Sequence, residues 1–167
     1  MIRVALVEPG IPANTGNIAR LCAATCVPLH IVGAIGFRLD DRTVRRAGLD
    51  YWPEVALQRH SDLDSLYAAL PGARFIYLTT KANRVYSDWV FGTNDCLVFG
   101  RETRGLPEDL LRANWERCVT IPILNPNVRS LNLATAVGIV LYEALRQTGF
   151  SKAGGLAARR ELFLERC

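Results

Sequence analysis

No apolar run in the chain approaches the about eighteen residues needed to span a bilayer, and the amino terminus reads straight into a strand-like IRVALVE without a signal-peptide pattern. Both absences point to a soluble, cytoplasmic protein with no membrane partner. Lysine is nearly missing: Lys81 and Lys152 are the only two, so arginine supplies most of a formal net charge of +4. That excess permits a nucleic-acid partner without demanding one. Histidine is as scarce, and neither His30 nor His60 is placed to activate a serine or cysteine, which argues against a hydrolase built on such a pair. The five cysteines, Cys22, Cys26, Cys96, Cys118 and Cys167, are an odd number and fit reduced thiols better than a disulfide framework. Cys22 and Cys26 stand one turn apart on an expected helix and share a face there. A closed zinc site needs more ligands than these two and neither histidine completes it, so packed cysteines and no metal are expected. No GxxxxGK[ST] occurs and no GxGxxG follows the first strand, which counts against a P-loop ATPase and a nicotinamide enzyme.

What is present is apolar sequence in short blocks. Half of the 167 residues are hydrophobic, enough for one sizeable core. Residues 1–150 read as one domain, and 151–167 as a tail that forms a short extra helix or a frayed end. Ile2 to Val7, Leu29 to Val32, Phe75 to Thr79, Cys96 to Phe99 and Val119 to Leu124 read as strands, nearly all apolar as in a sheet covered on both faces. Val55 to Leu57 is a sixth, weaker candidate beside Pro53. Between them fall a helix from Asn14 or Thr15, a short basic helix from Thr43 to Ala47, a helix from Asp62 to Leu70 capped by Ser61, and another after Pro107. A long helix follows Ser130, its expected N-cap, and its apolar positions go nearly all the way round. Such a helix is buried in the core or covered by a second subunit. Alternation of strands and helices gives an α/β fold with a mostly parallel sheet and helices on both faces.

Three polar segments each follow a strand: NTGNIAR from Asn14 to Arg20, GRETRGLP from Gly100 to Pro107, and the loop from Asn125 to Asn132. Loops at the carboxyl ends of parallel strands converge on one site. Taken singly, each has an ordinary explanation as a cap, a turn or a connection. Their joint occurrence is much harder to ascribe to accident.

These segments resemble the three motifs of the SPOUT class of RNA methyltransferases. The pattern N-x-G-N-[IL]-x-R is matched by Asn14 to Arg20, [FL]-G-x-E-x-x-G-[LI]-x by Phe99 to Pro107, and I-P…S-L-N-[LV]-x-x-A by Ile121-Pro122 through Ser130-Leu131-Asn132-Leu133-Ala134, in the family's order. The opening EPGIPANTGNIARLCAAT and the segment RRAGLDYW look most like the compact members that methylate the ribose of the tRNA wobble cytidine or uridine. The resemblance implies a C-terminal deep trefoil knot, a homodimer, and bent S-adenosylmethionine as methyl donor, released as S-adenosylhomocysteine. It places donor contacts on Leu78, Thr79, Gly100, Glu102, Gly105, Ile121, Ser130 and Leu131. It makes Arg20 the central catalytic residue and Tyr142 the second candidate, with Asn17 and Asn132 holding geometry and Glu143 the weakest case. The implied RNA contacts are Asn14, Arg20, Arg45, Arg46 and Arg129, and the implied partner is a tRNA anticodon stem-loop. A ribosomal RNA or another tRNA position fits the same motifs, and a non-catalytic RNA-binding protein would share the basic surface without needing a donor pocket.

Overall fold

The computed structural model describes residues 1–37 and 51–150. The expected basic helix Thr43 to Ala47, with Arg45 and Arg46, and the tail 151–167 lie outside the described residues. Six strands, β1 (Arg3–Val7), β2 (Leu29–Val32), β3 (Leu57–His60), β4 (Arg74–Leu78), β5 (Asp95–Phe99) and β6 (Cys118–Val119), form one sheet in the order β3-β2-β1-β5-β4-β6. Every pairing between them is parallel. Among the described residues four α-helices accompany them: α1 (Pro12–Thr25), α2 (Leu63–Ala69), α3 (Glu108–Ala113) and α4 (Leu133–Gln147).

Side-chain alternation along each strand splits the core in two. Val4, Leu6, Leu29, Ile31, Ile76, Leu97 and Phe99 meet Ile18 and Cys22 of α1 and Val137, Val140 and Leu141 of α4. Ala5, Val7, Val32, Phe75, Tyr77, Cys96 and Val98 meet Leu66 of α2 and Leu111 of α3. Both faces are therefore covered, which is why the strands read as unbroken apolar runs.

Several boundaries differ from the sequence expectation. Helix α1 begins at Pro12, two or three residues early, because proline needs no N–H partner in a first turn. Asp62 rather than Ser61 caps α2: its carboxylate accepts the Ser65 N–H at 2.8 Å, and the Ser65 hydroxyl in turn accepts the Asp62 N–H. The weak strand near Pro53 moves to Leu57–His60, because a single 3-10 turn at Trp52–Glu54 takes up the proline. Strand β6 stops at Val119 instead of Leu124; Thr120 bridges to Val85 and the chain then leaves the sheet, with Leu124 94% exposed. Helix α4 is capped by Asn132, not Ser130, and buries one stripe, Val137, Val140, Leu141 and Ala144. The remaining apolar positions from Leu133 to Leu145 are half-buried, so the helix is less uniformly enclosed than its composition suggests.

At the amino ends of β4 and β5, opposite to the loops that matter below, Asp95 is 1% exposed. Its carboxylate accepts from Arg74 Nε and Nη2 and from the Gly92 N–H, each at 2.8 Å. Arg74→Ala leaves that buried carboxylate without its cation and should cost about 3 kcal/mol of stability. Urea unfolding at neutral pH checks this, and a loss below about 1 kcal/mol would mean that the remaining N–H and solvent suffice.

Candidate functional site

Strand order reverses between β1 and β5, and a crevice opens at the carboxyl ends of the strands where this happens. Beyond β5 the chain folds back on itself, the Gly105 N–H donating to the Arg101 carbonyl at 2.7 Å. Gly100 makes that closure possible. A Cβ there would lie 2.1 Å from the Gly105 carbonyl carbon and 2.3 Å from the Leu106 nitrogen, distances that no side chain tolerates. Gly105 has φ +69° and faces open space, so its requirement is conformational. Buried Leu106 anchors the loop to the sheet.

Closing this loop aims Glu102 at the start of α1. Its carboxylate accepts from the Gly10 N–H at 2.8 Å, the Ile11 N–H at 3.2 Å and Asn14 Nδ2 at 3.0 Å. Ile11 precedes the helix with no side-chain cap of its own, so a distant carboxylate supplies the negative charge favoured at a helix amino end. Burial disfavours the ionised form of Glu102. The donors Gly10, Asn14 and Ile11 outweigh it, and the carboxyl titrates below its usual range. Asn14, 6% exposed, uses its other end to accept from Asn132 Nδ2 at 2.9 Å. Asn132 Oδ1 accepts from the Ala134 and Thr135 N–H groups at 2.9 and 3.3 Å. One continuous relay thus joins the three polar segments.

Beside it lies a cavity of about 720 Å³. Leu78, Thr79, Gly100, Glu102, Gly105, Ile121, Ser130 and Leu131 all line it, with Asn14, Asn132 and Arg129. Ile11, Thr103, Arg104, Ile123, Leu133 and Ala136 line it as well, unforeseen from the motifs. The alternation Ile121, Ile123 was a usable signal, since it turns two side chains to one side of an extended segment. Asn17, Arg20 and Tyr142 do not line the cavity; all three are exposed. The Arg20 guanidinium lies 5.7 Å from the Tyr51 ring centroid, and the Tyr51 hydroxyl donates to the Gly16 carbonyl at 3.0 Å. The Tyr142 ring stands 6.4 Å from that of Phe150. Glu143 is engaged by Arg146 at 2.8 and 2.9 Å and by Gln147 at 2.8 Å.

Cys22 and Cys26 do not share a helix face as expected. Helix α1 ends at Thr25 and Cys26 is its left-handed C-cap, exposed, whereas Cys22 is buried and its thiol is pushed up to about 12 by that burial. Among the described residues no group of three or more His, Cys, Asp or Glu side chains is placed to hold a metal. His30 has a close partner that the sequence did not reveal. Adjacent strands bring its Nδ1 to 2.9 Å from His60 Nε2, and burial, His60 and Arg3 lower its pKa to about 4. Neither ring lines the cavity.

The chain matches the model of the SpoU rRNA Methylase family over residues 1–142. Over 154 residues, 92% of this chain and 98% of the relative, it is 46% identical to a tRNA (cytidine(34)-2'-O)-methyltransferase of Escherichia coli K12. A solved structure concerned with 2-OH methylation of C/U34 on tRNA superposes with TM-score 0.82 at 44% identity, covering 88% of this chain and 95% of that one. An AdoMet-bound rRNA methyltransferase from Sinorhizobium meliloti superposes at TM-score 0.74 and 27% identity, over 87% of this chain and 56% of that one.

The relay implies an acid-labile site. Because the Glu102 pKa is depressed in the folded state, its ionised form stabilises the protein above the ordinary carboxylate pKa of about 4.3, and that contribution disappears as pH falls through the lowered value. Glu102→Gln should therefore be less stable than wild type at pH 7, with the difference shrinking below about pH 4. Parallel unfolding curves whose separation is constant with pH would rule out a charged role for this carboxylate.

Proposed function

The chain belongs to the SpoU rRNA methylase family, and on that premise we propose that it transfers a methyl group from S-adenosylmethionine to the ribose 2′-oxygen of nucleotide 34 in a tRNA anticodon loop. The observation that carries this is the cavity beside the Glu102–Asn14–Asn132 relay, taken with the wobble-nucleotide activity for which the 46%-identical relative is named. Its residues fit the donor. A volume of about 720 Å³ is in the range of small-molecule sites, Gly105 faces open space, and Leu78, Ile121 and Leu131 offer apolar walls beside Thr79 and Ser130.

Bound there, S-adenosylmethionine supplies a sulfonium-activated methyl group, so an O–C bond to the ribose forms as the C–S bond breaks and S-adenosylhomocysteine leaves. The protein has to align the 2′-oxygen and assist loss of its proton. The part of Arg20 is to stabilise the developing alkoxide or to hold the adjacent phosphate, for which a planar guanidinium fork is suited. Tyr142 is the second candidate. Asn14 and Asn132 keep the cavity wall in register with α1, and Asn17 stands exposed one turn before Arg20.

Arg20 and Tyr142 lie outside the cavity of their own chain, on helices α1 and α4 that pack against each other. A homodimer resolves this, with a second copy carrying both residues to the cavity. Exposed Leu124, Val128, Leu131, Tyr142 and Phe150 supply apolar surface for that contact. We also propose that residues 1–150 form one methyltransferase domain whose C-terminal part is threaded as a deep trefoil knot. Support comes from the path after β6, where Thr120 is held between the Arg84 carbonyl and the Tyr86 N–H before the chain runs along the cavity to α4. No described helix is long and apolar enough to cross a membrane, and the cytoplasm is where a tRNA substrate is met.

Arg20→Ala should keep the fold and donor affinity yet transfer methyl groups to an anticodon stem-loop a hundredfold to a thousandfold more slowly, the usual scale for one lost oxyanion stabiliser. Mixing it with Gly105→Val, which should lose donor binding, tests the shared site, because a mixed dimer keeps one cavity facing one intact arginine. A single-turnover rate within about threefold of wild type would remove Arg20 from the site. Absence of recovery in the mixture, or a stable active monomer in light scattering, would overturn the dimer.

A further inference from the structure

Arg101 is a guanidinium at this site for which the reaction described above has no use. Its main chain is pinned, since its carbonyl accepts the Gly105 N–H at 2.7 Å and the following Glu102 is held by three N–H donors. Its side chain lies against Gly10. A Cβ at that glycine would sit 3.2 Å from Arg101 Nε and 3.6 Å from Nη2. Gly10 is not in the left-handed region, so no turn requires glycine there; what it provides is room for the guanidinium.

The side chain is exposed and forms no hydrogen bond or ion pair with any described residue. It makes no ion pair with the neighbouring Glu102, whose carboxylate accepts from Gly10, Ile11 and Asn14. Gly100 and Glu102 on either side of it line the cavity, as do Arg104 and Arg129, whereas Arg101 does not. Its charge therefore stands outside the cavity, between two residues that line it.

We propose that Arg101 is a positioning residue for RNA that grips a backbone phosphate next to the nucleotide being methylated, an inference that rests on the ribose-methylation reading above. The planar guanidinium suits bidentate contact with phosphate oxygens. A side chain braced by Gly10 and by a closed loop loses less freedom on making that contact than a free surface arginine does.

The test uses Arg101→Ala, Arg101→Lys and Gly10→Ala in the full chain, with donor affinity from calorimetry, kcat and KM on an anticodon stem-loop, and RNA binding across a salt series. Arg101→Ala should leave donor affinity unchanged and raise KM about tenfold, the scale of one charge-assisted hydrogen bond. The slope of log K against log salt should fall by about 0.7, one phosphate contact on a single strand. Arg101→Lys should restore the slope and only part of KM. Gly10→Ala, which displaces the guanidinium, should raise KM in wild type and add nothing in the Arg101→Ala background. An unchanged salt slope in Arg101→Ala overturns the proposal, and so does a drop in donor affinity with RNA binding intact, which would assign Arg101 to the donor's carboxylate. Failure of wild type to methylate the stem-loop would count against the ribose-methylation reading instead, and the binding slopes still read Arg101 by themselves.

Discussion

The Glu102 carboxylate is the contact on which the site depends. Residues separated by about ninety positions in the chain meet there, because one acid accepts from two backbone N–H groups and one side-chain amide at the start of α1. Asn14 carries the connection on to Asn132, and Asn132 caps α4. A helix that would otherwise begin with unsatisfied donors is thus capped from another part of the fold, and the same bonds set the cavity wall. Removing Glu102 or Asn132 takes a partner from the buried Asn14 side chain.

This arrangement needs the sheet reversal between β1 and β5. Parallel strands place the ends of β1, β4, β5 and β6 on one edge, so the loops that leave them converge without a dedicated scaffold. Glycine does the fine adjustment. Gly100 lets the loop close on its own backbone, and Gly105 supplies a left-handed turn facing open space.

Two of the proposed catalytic residues lie on another surface. Arg20 and Tyr142 occupy exposed faces of α1 and α4, separate from the cavity that the motifs build. That separation is the physical argument for a second copy in the proposed reaction, since one chain brings a pocket and exposed candidates that do not meet within it.

The sequence by itself determined the covered parallel sheet, because unbroken apolar strands between amphipathic helices have few other ways to be buried, and it determined which three segments meet. All eight residues that the family resemblance assigns to the donor line one cavity. Only the tertiary structure decided how they are held. Asn14 reads locally as a cap on its own helix, yet it turns inward because Glu102 and Asn132 are brought to it from 88 and 118 residues away. Asn132 replaced Ser130 as the cap for the same reason, and Cys26 left the Cys22 face because the helix ended between them. The His30–His60 pair likewise needed two strands side by side. Periodicity and capping propensity report a residue's near neighbours, whereas these contacts are set by which distant chain arrives, and that is a property of the packed sheet.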